Sequence, residues 1–300
     1  MTPPPSAGGS TPRPLEHCHI VSLALNVPGP VAVAELQSAG ARVTKVEPPA
    51  GDPLREMCPA WYRELTQAQT VRRLNLKDPA ERRALDDLME SADLLVTSFR
   101  PQALGRLALD WESVQARFPR ICYVAIVGYR GPRSNEAGHD LTYQADAGLL
   151  NPPHLPRTLI ADLAAGLRAA ISGLTLLLQQ HREGVGGYTE VAIADALALF
   201  ATPQSFGLTR PGGILGGALA HYNLYQSADG WVALAALEPR FRRGLQAEFG
   251  AEDLSQSGLL AIFRSRPSRA WEEWAKAKDV PLTAVHELDP ADPAVMTGTR

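Results

Sequence analysis

The stretch "GHDLTYQA", Gly138 to Ala145, sets an imidazole, a carboxylate and a phenol close together in the chain: His139, Asp140 and Tyr143. Such a group is either a polar loop that satisfies itself or a proton-transfer site. Asp162, in "LIADLAAG", follows an apolar run and precedes a helix. It reads as a plain helix N-cap or as a carboxylate that accepts a proton or attacks carbon. A helix N-terminus favours its ionised form and burial opposes it. Ala164, Ala165 and Gly166 would let a ligand come close to that helix end. Glu238, in "ALEPRF", ends another apolar run just before Pro239, where a helix start welcomes a negative charge. Arg100 and Arg106, in "SFRPQALGRLAL", have the forked donors that suit phosphate, and solvated surface arginines are the plain alternative.

These residues need a frame. "HCHIVSLAL" reads as a buried strand, "NVPGP" as a turn, "VAVAELQSAGA" as a helix ending at Gly40, and "RVTKVEPP" as a second strand. "DPAERRALDDLMESA" is an amphipathic helix with Asp78 as N-cap and Pro79 at its first position. "DLLVTSF" and "ICYVAIVGY" are further strands, with the short helix "WESVQARFP" between them. Alternating strands and helices predict an α/β fold, with a parallel sheet covered on both faces. Arg100 then falls at the ligand-binding edge of that sheet. "DLAAGLRAAISGLTLLLQQHREG" predicts a long helix capped by Asp162, stopped near Gly184 and buried on most sides. "GYTEVAIADALALFA" is a strand and a helix. "HYNLYQSADGWVALAAL" is a hairpin about Asp229-Gly230, with helices after it. The expected organisation is a disordered tail over 1–14, a Rossmann-like large domain over 15–210 and a small α+β domain over 211–300.

Composition narrows the functional classes. Of 300 residues 45% are hydrophobic and 20% charged, which describes a globular chain. A net charge of −3 offers no basic face for nucleic acid. Cys18, Cys58 and Cys122 are scattered, which speaks against a disulfide framework or a zinc site and fits the cytoplasm. No uninterrupted apolar run is long enough to span a bilayer, so no membrane partner is expected. The turn "NVPGP" lacks the G-x-G-x-x-G spacing that brings backbone up to a pyrophosphate, so nicotinamide binding has no support.

Several long strings together resemble the class III CoA-transferase family (CaiB/BaiF type), which includes the α-methylacyl-CoA racemases and carnitine CoA-transferases. They are "ALNVPGPVAVAELQSAGARVTKVEPPAGDPLR", "LNLKDPAERRALDDLMESADLLVTSFRPQALGRLAL", "AGHDLTYQADAGLL", "LIADLAAGLRAAISGLTLLL" and "GGALAHYNLYQSADGWVALAALEPRF". The resemblance implies a Rossmann-like large domain, a small domain and an interlocked homodimer. Active sites would form where one subunit's large domain meets the other's small domain. The substrate would be an acyl-CoA thioester, with coenzyme A as part of the substrate and no separate cofactor or metal. Arg100 and Arg106 match basic positions that hold CoA in the racemases. In the transferases the residue matching Asp162 attacks the thioester and carries the acyl group as a mixed anhydride. In the racemases it is one of two bases, the other being the match of His139, paired with the match of Glu238. "ALEPRF" and "AHYNLY" are racemase-like, so racemisation of a 2-methylacyl-CoA is the leading expectation and CoA transfer the alternative. On that reading Asp140 and Tyr143 hold the local backbone and the ligand.

The chain departs from the family pattern in places. A basic string expected before "LNLKDP" is replaced by "TQAQTV", followed by Arg72 and Arg73, which stand in as CoA-binding candidates. The run from Leu149 to Leu159 is short and proline-rich. The sequence ends at "HELDPADPAVMTGTR", short of the segment that in the family returns to the large domain. A catalytically weak acyl-CoA-binding paralogue is therefore a third expectation.

Overall fold

The computed structural model describes residues 13–250 and 254–286. The expected tail over 1–14 lies almost wholly outside the described residues, and so does the end of the chain from 287. Two compact units divide between Ala201 and Thr202, inside a helix, whereas the sequence placed the boundary at 210/211.

The first unit is built on six parallel strands in the order β3-β2-β1-β4-β5-β6. They are β1 (His19–Ser22), β2 (Arg42–Glu47), β3 (Thr70–Arg73), β4 (Leu94–Thr97), β5 (Cys122–Val127) and β6 (Tyr188–Ala192). The order reverses between β1 and β4, which makes the crevice beyond their carboxyl ends the expected ligand site. Both faces are covered, as parallel sheets require. Leu94 and Val96 point to one face and join Ile20, Val124 and Ile126 there, whereas Leu95 points to the other with Val21 and Tyr123.

The helices of this unit are α1 (Pro28–Ser38), α2 (Leu54–Met57), α3 (Pro59–Leu65), α4 (Pro79–Glu90), α5 (Pro101–Arg106), α6 (Trp111–Arg117), α7 (Asp140–Asp146), α8 (Ile160–Glu183) and α9 (Ile193–Ser205). In the segment "NVPGP", Asn26 and Val27 form the expected turn, and Pro28 to Pro30 already belong to α1. Pro28 opens α1, where its fixed φ suits the first turn and its missing N–H is not needed. Asp78 caps α4 as expected, accepting from the Ala80 and Glu81 N–H groups at 2.8 and 3.1 Å. "GHDLTYQA" is not a loop: Asp140 onward forms α7, with His139 at the N-cap position.

Helix α8 is the core helix of the unit, although it is long and apolar enough to cross a membrane by length and composition alone. Small residues let it approach α1 closely. A Cβ on Gly166 would lie 2.8 Å from Val31 Cγ1 and 2.9 Å from the Pro28 carbonyl oxygen. Burial on most sides of α8 was expected, but one face is open: Leu167, Ile171, Leu174 and Leu178 are 47, 56, 42 and 62% exposed. Their spacing places them on one face, turned away from the sheet. The helix ends at Gly184, whose φ of 74° is the left-handed conformation that glycine adopts without strain.

The second unit contains a π-helical turn (Ile214–Ala218) and an antiparallel sheet in the order β7-β8-β9: β7 (Tyr222–Gln226), β8 (Trp231–Ala235) and β9 (Leu282–Ala284). The first two strands form the expected hairpin about Asp229-Gly230, while β9 was not read from sequence. Helices α10 (Pro239–Phe249), α11 (Gln256–Phe263) and α12 (Ser268–Lys278) pack on it through Leu245, Leu259, Phe263 and Trp271.

Candidate active site

A cavity of about 130 Å³ opens at the carboxyl edge of the large sheet. Leu25, Asn26 and Pro28 come to it from the end of β1, Ser98, Phe99 and Arg100 from β4, and Val127 and Gly128 from β5. Gly138, His139, Tyr143 and Asp162 complete its polar wall. The cavity thus straddles the point where the strand order reverses.

The β1–α1 loop is held from below by a buried ion pair. Lys45 Nζ lies 2.8 Å from Asp52 Oδ2 and donates to the Ala24 carbonyl at 2.9 Å, with both side chains almost fully buried. Asp52 Oδ1 accepts from the Asn26 and Leu54 N–H groups, each at 3.0 Å. Asn26 has a φ of 65°, a left-handed conformation that asparagine tolerates better than most residues. One end of this network therefore fixes Leu25 and Asn26, two residues of the cavity wall.

Asp162 is in the first turn of α8 but does not cap it. Leu159 holds the N-cap position and makes no side-chain bond. The cap comes from α7. Asp140, buried, accepts at Oδ1 from the Ala161 and Asp162 N–H groups at 2.8 and 3.1 Å, and Gln144 Nε2 donates to its Oδ2 at 2.5 Å. The capping that one reading gave to Asp162 therefore falls to Asp140. Asp140 satisfies the helix end, and the Asp162 carboxylate makes no hydrogen bond among the described residues. Burial, and then the negative charge of Asp140, push the Asp162 carboxyl up to about 7.

His139 is exposed on the same cavity. Its backbone N–H donates to Thr142 Oγ1 at 3.1 Å, and Thr142 Oγ1 donates back to the His139 carbonyl at 2.8 Å. His139, Asp162 and Arg100 are thus brought to one cavity. Arg106 is exposed in the last turn of α5 and does not line it. Arg72 and Arg73 lie on the edge strand β3. Arg73 Nε is 3.8 Å from Glu47 Oε2, a buried carboxylate whose other oxygen accepts from Tyr62 Oη at 2.6 Å. Glu238 belongs to the second unit, exposed at the N-cap position of α10 and without a capping bond.

A second cavity of about 280 Å³ lies along the same edge of the sheet. It is walled by Leu23, Pro48, Pro49, Leu74, Leu76 and Phe99, with Glu47 and Lys77 beside them. Phe99 lines both cavities. Sequence reasoning missed Lys77. Its signal was indirect: it follows β3, the one strand of this sheet that was not recognised. Among the described residues no three His, Cys, Asp or Glu side chains cluster to hold a metal ion.

The fold is that of a doubly wound α/β protein, with its candidate ligand site at the switch of strand order. The first turn of α1 departs from a dinucleotide site, because Pro28 and Pro30 remove two N–H groups and Ala24 Cβ fills the space beside Gly29. The chain belongs to CoA-transferase family III, whose family model matches residues 15–297. It is 29% identical over 255 residues to a succinyl-CoA:glutarate CoA-transferase of Mus musculus, covering 77% of this chain and 58% of that protein. A succinyl-CoA–D-citramalate CoA-transferase of Chloroflexus aurantiacus is 28% identical over 280 residues, covering 85% and 69%. The chain thus spans less than two thirds of the length of the mouse relative. A solved structure of a CAIB/BAIF family protein from Brucella suis shares the fold, with a TM-score of 0.79, 22% identity and coverage of 93% of this chain and 87% of that one. The mouse and Chloroflexus relatives carry the names of CoA-transferases, which supports the alternative raised from the sequence rather than racemisation.

Proposed function

We propose that the chain moves CoA between carboxylic acids, with Asp162 as nucleophile. The observation that carries this reading is the Asp162 carboxylate itself. It faces a cavity, its helix end is capped by another residue, and its oxygens have no hydrogen-bond partner among the described residues. Attack of one oxygen on an acyl-CoA thioester forms a C–O bond, breaks the C–S bond and releases CoA thiolate, leaving an acyl-aspartyl anhydride. The thiolate then attacks the Asp162 carbonyl and frees the first acid. A second carboxylate attacks the resulting aspartyl thioester, and the released thiolate takes up the new acyl group. Burial, and then the charge on Asp140, keep a proton on Asp162 below about pH 7, so attack needs the deprotonated form above it.

The two cavities suit the two ends of acyl-CoA. The apolar second cavity takes the adenosine, and the chain runs past Phe99 to the thioester at Asp162. Lys77 and Arg100 flank that course and supply cations for the phosphates. Names of the relatives suggest dicarboxylates as acids. The exposed apolar face of α8 supports a homodimer, because four large side chains on one helix face need cover. A monomer in sedimentation would contradict that. Glu238 is proposed to act from the second subunit.

Incubation with a 2-methylacyl-CoA and a free dicarboxylic acid in deuterated water separates the chemistries. Transfer of CoA to the acid with no deuterium at the α-carbon supports the proposal. Deuterium uptake without transfer would return the protein to racemisation, with His139 and Asp162 as the two bases.

A further inference from the structure

Tyr143 is 3% exposed, yet its hydroxyl makes no hydrogen bond among the described residues. Its neighbour Tyr129 shows the usual arrangement, donating from Oη to Asp146 Oδ2 at 2.5 Å. The two rings pack at 5.2 Å and 64°, which accounts for the Tyr143 ring but not for its oxygen. A phenylalanine would pack equally well and lack the donor that this hydroxyl leaves unpaired among the described residues, beside the cavity that Tyr143 lines.

The place of that oxygen is specific. A Cβ on Gly128 would come within 2.3 Å of Tyr143 Oη, and a Cβ on Gly138 within 2.5 Å. Both glycines line the first cavity, as do Tyr143 and Asp162. The hydroxyl therefore occupies a slot that exists only because both flanking positions lack side chains. Burial, and then the charges of Tyr129 and Asp162, push the phenol up to about 12, with Arg100 pulling it down. It keeps its proton, and hence its donor role, throughout the neutral range.

We propose that Tyr143 is a catalytic residue whose hydroxyl donates to the thioester oxygen as that oxygen becomes an oxyanion. The inference rests on the CoA-transfer reading. When Asp162 attacks, the carbonyl π pair moves onto oxygen. It returns as the C–S bond breaks and CoA thiolate leaves. Tyr143 retains its proton throughout and acts by a hydrogen bond that strengthens as charge develops.

Rapid mixing of the full chain with succinyl-CoA, without acceptor, followed by quenching and mass measurement, gives the rate of acyl-enzyme formation. Tyr143→Phe is expected to slow that rate about 100-fold or more while the KM for succinyl-CoA changes by no more than about threefold, the pattern for loss of one oxyanion donor. Gly138→Ala, whose Cβ must displace the hydroxyl while the phenol remains, should slow it in the same sense. Formation within threefold of wild type in Tyr143→Phe overturns the role of Tyr143 and leaves CoA transfer standing. Wild-type protein that forms no acyl-enzyme overturns both.

Discussion

Replacing Asp162 by asparagine should stabilise the protein at alkaline pH and lose that advantage in acid. The Asp162 carboxyl titrates at about 7 in the folded chain, against an ordinary value of 3.8. A carboxyl raised in this way binds its proton more tightly when folded. Its contribution is fully present below the unfolded value and is lost as pH rises through about 7. Between these limits the slope is about −1.4 kcal/mol per pH unit. The ionised carboxylate therefore costs on the order of 4 kcal/mol at pH 8, and its helix end is already capped by Asp140. Asparagine has no such charge. Moving from pH 8 to pH 5 should thus shrink the stability gap between Asp162→Asn and wild type by roughly 3 kcal/mol, two pH units of that slope. Urea titration at the two pH values, compared through midpoint and slope, reads it directly. A gap that is the same at both would refute the idea that burial and Asp140 hold Asp162 in a high-pKa state.

Three further outcomes follow from the geometry. Asp140→Asn keeps an oxygen to cap α8 but removes the charge, so the acid limb of the kcat/KM profile for CoA transfer should move to lower pH; an unmoved limb would remove Asp140 from the control of Asp162. Lys45→Met leaves Asp52 buried beside no cation and should cost about 3–5 kcal/mol in urea unfolding, whereas a cost below about 1 kcal/mol would show that the pair does not hold the β1–α1 loop. Arg100→Ala should weaken acyl-CoA binding in calorimetry more than Arg106→Ala does, and less so at high salt, because only Arg100 lines the cavity; equal effects would contradict that placement.

What could be read from the sequence depended on how local its cause was. Strands β1, β4 and β5 are largely apolar runs buried on both faces, and that pattern lies within each run, whereas β2, "RVTKVE", was marked by its place after a helix and by the proline that stops it. The Asp78 cap of α4 was legible because donor and acceptor are neighbours in the chain. The cap of α8 was not, because Asp140 reaches it from another helix, and Asp162, read from sequence as the cap, already lies inside the first turn. Strand β3 escaped notice because its four residues, "TVRR", are all exposed at the sheet edge. The exposed face of α8 could not be foreseen from its pattern, since apolar residues around a helix do not say which of them the same chain covers. His139, Asp162 and Arg100 came together through resemblance and not through spacing, since three different loops and helices carry them. The Tyr143 slot depends on Gly128 and Gly138, whose closeness to the hydroxyl only the folded chain reveals.

The central claim is that the Asp162 carboxylate carries the acyl group. Hydroxylamine added to the protein during turnover with succinyl-CoA cleaves an activated aspartyl carbonyl and leaves a hydroxamate there. Peptide mass spectrometry should find that hydroxamate at Asp162 in wild-type protein and nowhere in Asp162→Asn. CoA transfer with no modification at Asp162, or with the same modification at another carboxylate, would contradict the account.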